Sequence, residues 1–207
     1  MRYIKIRNNS LKQVKEFSYL GSTLTEDGKS TKEVIKRLAQ AKSTFMKFKT
    51  ILTNPKLQTE TRMRVLRTYI WSIVKYGCET WTICKNLEKR LNSFEMWCYR
   101  RMKRISWTRR MTNQEVLKKM GKELELLPSI KKLQMKFVGH VYREGGMEHL
   151  ISSGMVEGKR ARGRQRTTQW DVIKEWTGAK DRNEVSRVIL DRKRWRTMIA
   201  NAMRQGT

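Results

Sequence analysis

The chain has few of the residues from which active sites are usually built. It contains two prolines, three cysteines and two histidines in 207 residues. Its aspartates are only four, and no two of them are adjacent: Asp27, Asp171, Asp181 and Asp191. A Gly-rich phosphate loop, a nucleophile elbow and an HExxH pattern are all missing. These absences predict that the chain has no autonomous active site, and we expect no cofactor and no small-molecule substrate.

Long apolar segments are missing as well. No uninterrupted apolar run approaches the length of a membrane span. The amino-terminal residues 1–7 alternate like a strand and lack the apolar segment of a signal peptide. Three cysteines, an odd number in a chain of this length, do not make a disulfide framework. The sequence therefore predicts an intracellular protein, nuclear or cytoplasmic, that is not secreted and does not associate with a membrane.

Positive charge is what the chain has in excess. It carries 47 Lys and Arg against 19 Asp and Glu, a formal net charge of +28 that is spread along the whole length. Self-repulsion on this scale destabilises a compact state unless counter-ions or a polyanion screen it. A nucleic-acid partner is the interpretation that we favour. An anionic membrane surface and a ribosomal-type structural role are the alternatives, and the oligomeric state stays open.

The hydrophobic pattern predicts a mainly α-helical fold behind a short β segment. Residues 1–29 read as a β-hairpin, with a strand over 14–24 that is closed by a turn at 26–28. Apolar residues then recur at helical spacing over 30–52, 59–76, 87–105, 112–121, 128–145, 167–176 and 183–203. Capping-box patterns, Ser30 with Glu33 and Thr112 with Glu115, open two of these helices. We predict a three-helix bundle over 30–108 and a smaller basic helical region over 109–207, with a flexible linker at 154–166.

The first candidate binding site is the Gly-rich basic tract within that linker. The tract contains five cations separated in part by small residues, which lets an extended backbone follow the phosphates of a nucleic acid. These cations are Lys159, Arg160, Arg162, Arg164 and Arg166. Arg162-Gly163-Arg164 resembles an AT-hook core, but Gln165 stands where that motif has proline. Non-specific phosphate binding or a nuclear-localisation signal is therefore predicted over minor-groove specificity, and a solvated loop is the alternative.

The second candidate site begins in the last part of the third predicted helix and continues beyond it. It is a tract of six cations without an acid: Arg100, Arg101, Lys103, Arg104, Arg109 and Arg110. Trp97, Tyr99 and Trp107 interleave with them, a pattern that suits phosphate contacts combined with stacking on bases. The alternative is a solvated helix face, and we assign Trp97 itself to the core.

The spacing of the cysteines and histidines disfavours a metal centre. Cys78, Cys84, Cys98 and either His140 or His149 could in principle supply a Cys₃His site. No Cys-x-x-Cys pair is present, so buried reduced cysteines are predicted and no metal site is expected. His140 has apolar neighbours and no nucleophile to activate, which predicts a packed or surface histidine.

An ordered series of short blocks carries a family resemblance. The blocks are Phe17–Ser22, Thr25–Gly28, Tyr76–Thr82, Phe94–Cys98, Arg104–Thr108, Phe137–Val141 and Gly158–Arg166. In this order they resemble the carboxyl-terminal third of a non-LTR (LINE-type) retrotransposon reverse transcriptase, most closely the RTE-type elements. The likeness runs from about Val14 to Trp195. It implies the last strands of a palm, a helical thumb that grips the template–primer duplex, and a carboxyl-terminal region that holds RNA or target DNA.

The same resemblance implies that the polymerase chemistry is absent. Reverse transcriptases hold two metal ions with three aspartates, two of them adjacent in a Tyr-X-Asp-Asp turn, and this chain has no adjacent pair. The family places that turn just before the block at Phe17–Ser22, so the sequence is expected to begin after the active site. Nucleic-acid binding without polymerase activity is therefore predicted. A host-adopted basic binding protein and a degraded retroelement reading frame are the alternatives.

Overall fold

A computed structural model describes residues 5–6, 9–11, 13–153, 163 and 169–205. The described chain is mainly helical, with antiparallel β structure before the first helix, which confirms the predicted fold class. Strand β1 (Lys5–Ile6) pairs with β2 (Asn9–Ser10), and β3 (Glu16–Tyr19) pairs with β4 (Ser22–Thr25). Within these ranges, every helix is too short or too polar to cross a bilayer.

The hairpin of β3 and β4 turns earlier than the sequence predicts. Chain reversal occurs at Leu20 and Gly21, which both have positive φ, as the favoured two-residue hairpin turns require. The single strand predicted over 14–24 is therefore wrong, because Gly21 readily adopts the positive φ that lets the chain reverse there. The predicted turn at Asp27 and Gly28 exists, and it leads the chain from β4 into the first helix.

Helices form the rest of the described structure. Their bounds are α1 Thr31–Lys47, α2 Lys49–Leu52, α3 Thr59–Val65, α4 Ser72–Lys75, α5 Lys85–Met102, α6 Asn113–Met120, α7 Leu126–Glu144, α8 Met147–Ser153, α9 Gln169–Thr177, α10 Arg182–Leu190 and α11 Arg192–Gln205. A π-helical segment, Leu66–Trp71, joins α3 to α4, so that 59–75 is one continuous helical stretch. Single 3₁₀ turns lie at Cys78–Thr80 and Trp107–Arg109.

A first apolar core lies between α1, the 59–75 stretch and α5. Phe45, Leu66, Trp71 and Leu91 are among its fully buried members, and they occupy the apolar faces that the periodicity predicts. The cluster continues beyond residue 108 through Val116 of α6 and the first turns of α7. Helix α6 therefore packs against the bundle that precedes it. The boundary between two regions at residues 108 and 109 stays a prediction.

A second apolar core forms where the later half of α7 meets α9, α10 and α11. Met135 and Val138 of α7 belong to this buried cluster together with Trp170, Val185 and Trp195. Helix α7 therefore contributes to both clusters. This shared helix positions the carboxyl-terminal helices against the bundle.

Hydrogen bonds to two carboxylates make two predicted helix features wrong. The single helix predicted over 183–203 is broken at Asp191, whose carboxylate accepts hydrogen bonds from the amides of Lys193 and Arg194 and so begins α11. The capping box at Ser30 does not form, because the carboxylate of Glu33 accepts instead from the Thr23 amide of the hairpin.

The other capping box is confirmed. The Thr112 hydroxyl accepts from the Glu115 amide, and the Glu115 carboxylate accepts from the Thr112 amide. These reciprocal bonds fix the start of α6 immediately after the basic tract at 100–110. The tract is therefore bounded by an ordered helix on each side.

Candidate nucleic-acid interface

The basic tract at 100–110 lines an open groove at the carboxyl end of α5. The groove encloses about 600 Å³ between the end of α5, the 3₁₀ turn at 107–109 and the α2 segment. The lining residues in the described part of the chain are cationic, aromatic and small polar or apolar, without an acid: Lys49, Thr53, Trp97, Arg100, Arg101, Arg104, Ile105, Ser106 and Trp107. We call this the α5 groove. It combines the charge and the aromatic surface that the sequence predicts for this tract.

Trp107 presents its indole ring to solvent. The side chain is 90% exposed, whereas a tryptophan in a folded protein is normally largely buried. The turn that carries it is ordered, since the Ser106 hydroxyl accepts a hydrogen bond from the Thr108 amide at 3.3 Å. An aromatic face held open beside cations is the arrangement that stacks on bases in single-stranded nucleic acids.

Trp97 forms the inner wall of the groove and belongs partly to the core. Its ring lies 5.0 Å from that of Phe45 and 6.0 Å from that of Phe94, centroid to centroid. The guanidinium of Arg101 covers it at 4.6 Å from the ring centroid, and the Lys42 ammonium lies at 5.7 Å. The prediction of a core role for Trp97 is confirmed in that it packs against the first cluster, although it is only half-buried.

Side-chain hydrogen bonds to backbone carbonyls position two arginines of the groove. Arg104 donates from Nε to the Thr53 carbonyl at 2.9 Å, which ties the end of α5 to the end of α2. Arg100 donates from Nη2 to the Met111 carbonyl at 2.8 Å and thereby fixes the chain that leaves the groove. Each guanidinium has five N–H donors, so these bonds leave donors for an anion.

The remaining predicted residues of this tract do not line the groove. Lys103 points towards α3, where its Nζ lies 3.1 Å from the Thr59 hydroxyl, and burial together with the nearby Arg62 lowers the pKa of its ammonium. Arg109 and Arg110 are exposed on the turn beyond Trp107. They extend the positive surface away from the groove.

Tyr99 cannot stack on a ligand, contrary to the sequence prediction. It is fully buried, and its hydroxyl donates to the Glu95 carboxylate at 2.6 Å. On the helix it lies opposite the exposed arginines, so the interleaving of aromatic and basic residues in sequence does not place all of the rings on one face.

The other predicted tract, Lys159, Arg160, Arg162, Arg164 and Arg166, lies outside the described residues. Its role as a phosphate clamp stays a prediction. The second half of the chain nevertheless carries a cationic surface within the described ranges, and the sequence reasoning missed it.

That missed surface is a groove of about 880 Å³ between α7 and α11, which we call the α7–α11 groove. Its charged and titratable lining comes from both helices: Lys132, Lys136, His140, Arg143, Arg192 and Arg196. The signal was available in the sequence as cations four residues apart on two helices, since such spacing places side chains on one face. His140 is exposed there, in agreement with the surface role that was one of its predicted alternatives.

The cysteines form no cluster. Cys78 and Cys98 are buried as predicted, and burial raises the pKa of the Cys78 thiol to about 12 and that of Cys98 well above its usual value. Cys84 is exposed, which corrects the prediction that all three are buried. Within the described ranges no three His, Cys, Asp or Glu side chains come together in a way that could hold a metal ion.

Comparisons of this chain with protein-family models, with curated proteins and with solved structures return no match. Any function must therefore be inferred from the charges and contacts of its own residues.

Proposed function

We propose that this chain binds nucleic acid through the α5 groove and has no polymerase activity of its own. The observation that carries the proposal is the exposed ring of Trp107 beside Arg100, Arg101 and Arg104, in a groove whose described lining residues include no acid. Arginines supply phosphate contacts that are independent of sequence, and an open aromatic face supplies stacking. A solvated helix face, the alternative interpretation, would not explain why a tryptophan is exposed beside these arginines.

The retroelement interpretation deepens this proposal. In it, the bundle of α1, the 59–75 stretch and α5 acts as a thumb, and the α5 groove contacts a template–primer duplex. The hairpin of β3 and β4 supports it, because Phe17, Leu20 and Leu24 expose apolar surface of the kind that a larger palm sheet would cover. A host-adopted basic binding protein would use the same groove, and the two possibilities differ in their preferred nucleic acid.

Equilibrium binding tests the proposal. The affinity of the full chain is measured for labelled single-stranded RNA, duplex DNA and an RNA–DNA hybrid over a salt series. We expect log affinity to fall linearly with log salt, with a slope of about −0.9 per phosphate contact on duplex DNA and about −0.7 on single strands. Preference for the hybrid would support the thumb interpretation, and equal affinity for all three would favour a general binding protein.

Two variants assign the binding to the α5 groove. Trp107→Ala is expected to weaken single-stranded RNA binding by about 1–3 kcal/mol, the contribution of one stacked base. Arg101→Gln is expected to reduce the salt slope by roughly the share of one contact. The matched controls, Tyr19→Ala and Lys118→Gln, remove an exposed ring and an exposed cation outside the groove. The proposal fails if Trp107→Ala binds like the unmodified chain, or if the controls lose as much affinity.

A further inference from the structure

The α7–α11 groove is shaped by close helix packing and is therefore preformed. At Gly139 of α7, an added Cβ would lie 2.2 Å from Nε1 of Trp195, so only glycine permits this approach of the two helices. The same Nε1 donates to the Met135 carbonyl at 3.0 Å. Arg143 donates from Nη1 to the Ile189 carbonyl at 3.0 Å and ties α7 to the end of α10. These contacts hold the cationic side chains of the two helices on opposite walls.

The charges in this groove are not balanced by its own residues. Among the described residues, five Lys and Arg side chains line it together with His140, and no acid does. A carboxylate lies at the edge of the groove, where Glu144 Oε1 is 3.6 Å from Nδ1 of His140. Desolvation and the neighbouring Arg192 and Arg196 lower the pKa of the Arg143 guanidinium, against an opposing effect of Glu144. The neighbouring cations thus disfavour the charged form of Arg143, and a bound anion would stabilise the charged forms of all of them.

One polar atom inside the groove wall lacks a partner. Nε of Arg143 is buried and has no hydrogen-bond partner among the described residues. Buried guanidinium donors are normally paired. An anion in the groove would lie next to the same guanidinium and would offset the cost of burying it.

The arrangement points to a phosphodiester backbone, and we propose that the α7–α11 groove is a second nucleic-acid site that contacts phosphates without reading bases. Lys132, Lys136 and His140 follow one another at about 6 Å along α7, from four residues at 1.5 Å rise each, which suits an extended chain of charges better than a single compact anion. Trp195 is only 2% exposed and offers no stacking face. Binding there is therefore independent of base sequence.

This site is separate from the α5 groove. The two grooves have no lining residue in common, and they belong to different apolar cores. The inference therefore does not rest on the proposed function of the α5 groove. If both sites bind one strand, the second contact is intramolecular and increases the overall affinity beyond that of either site.

A four-site variant tests the proposal. Lys132, Lys136, Arg192 and Arg196 are all exposed, and each is replaced by glutamine in the full chain, whereas Arg143 is kept because it ties α7 to α10. A control chain removes the same charge elsewhere, with glutamine at Lys89, Arg90, Lys118 and Lys119, which are exposed and line neither groove. We expect the salt slope for labelled single-stranded RNA to fall by about 2–3 in the groove variant, at about 0.7 per lost contact, and to change little in the control.

The salt slopes of the groove variant and of the control distinguish binding in the groove from an effect of net charge. Equal slopes in the groove variant and the control would show that only net charge acts, and the proposal would be overturned. An unchanged slope in both would overturn it as well. Because the Trp107→Ala variant leaves this groove intact, its failure to weaken binding would contradict the α5 groove alone.

A second measurement uses the unmodified chain and does not depend on a variant that folds. Acetylation of Lys132 and Lys136 is followed by mass spectrometry with and without RNA, with Lys89 and Lys118 as internal controls. We expect RNA to slow acetylation of the first pair several-fold more than that of the second. Equal protection of all four lysines would contradict the proposal, as would protection of the first pair by anionic lipid vesicles but not by RNA.

Discussion

At the scale of single residues, Glu95 shows how a buried charge is used to hold two helices together. It lies within α5 and is fully buried. Its carboxylate accepts hydrogen bonds from the amides of Glu125 and Leu126, at the start of α7, and from the Tyr99 hydroxyl. Burial raises the pKa of this carboxyl above its ordinary value of 4.5, although the three donors oppose the shift. The Glu95 carboxyl therefore caps the start of α7, and its contribution to the free energy of unfolding depends on pH.

Glu95→Ala is expected to destabilise the fold by about 2–4 kcal/mol, because it leaves buried donors without an acceptor and opens a cavity. The raised pKa means that the folded chain binds more protons than the unfolded chain as pH rises from 4.5. The stabilisation by Glu95 is therefore fully present below pH 4.5 and decreases as pH rises through the folded pKa.

The difference between the unmodified chain and Glu95→Ala should accordingly be larger near pH 4.5 than near neutrality. Urea unfolding at both pH values measures it, and the comparison cancels the contributions of the other carboxylates. Glu123→Ala, which removes an exposed carboxylate close to α7, serves as the control. A difference that grows towards neutral pH would show that the donors, and not burial, dominate the titration.

At the scale of the elements, the hairpin of β3 and β4 is held by side chains of the helices behind it. Arg37 of α1 donates from Nη2 to the Gly21 carbonyl at 2.8 Å and from Nε to the Glu33 carboxylate at 2.6 Å. Its guanidinium also lies 4.4 Å from the ring centroid of Tyr76. The Tyr76 hydroxyl in turn donates to the Leu20 carbonyl at 2.9 Å. A single guanidinium thus connects the hairpin turn, α1 and the end of the 59–75 stretch.

Arg37→Ala is expected to release the hairpin while the bundle stays folded. Amide hydrogens of residues 16–25 should exchange about tenfold faster, which corresponds to about 1.4 kcal/mol of local stability. Amides in the middle of α5 should change far less. Lys47→Ala, an exposed cation at the end of the same helix, is the control. Uniform acceleration across hairpin and bundle would mean instead that Arg37 stabilises the whole first core.

The elements also show what the sequence can and cannot predict. Apolar periodicity located the bundle helices and the fold class, because burial of one face determines both. It missed the break at Asp191, since the helical pattern continues through a residue that turns to cap the next helix. It assigned Glu33 to a local capping box because the competing donor, the Thr23 amide, lies across a tertiary contact. The α7–α11 groove was missed for the same reason, as its two walls are about sixty residues apart.

At the scale of the whole molecule, several acidic residues are committed to contacts between helices. Glu60 pairs with Arg67 and Lys122, and Glu125 pairs with Arg67. These pairs join helical elements of the first core. The described lining of each groove holds cations without an acid, so part of the net charge of +28 acts there as uncompensated repulsion. The surface that we propose to bind nucleic acid is therefore also the surface that strains the unbound fold.

Screening of that repulsion should raise the thermal stability. We expect the melting temperature to increase with monovalent salt, because exposed like charges are screened over a Debye length of about 10 Å at 0.1 M. A much smaller concentration of single-stranded RNA at low salt should have a larger effect. RNA at about 100 times its dissociation constant contributes about 2.7 kcal/mol, which raises the melting temperature by about 5–10 °C in a domain of this size.

The two effects separate on further addition of salt. Salt releases the RNA, so the shift caused by RNA should vanish at high salt while the stabilisation by salt itself remains. The four-site variant of the α7–α11 groove should melt higher than the unmodified chain at low salt, because four repelling charges are gone, and should gain less from RNA. Scanning calorimetry of both chains over the salt series measures these shifts. A low-salt melting temperature that is insensitive to RNA would contradict binding, and a four-site variant that melts lower at low salt would show that its cations stabilise the fold by packing.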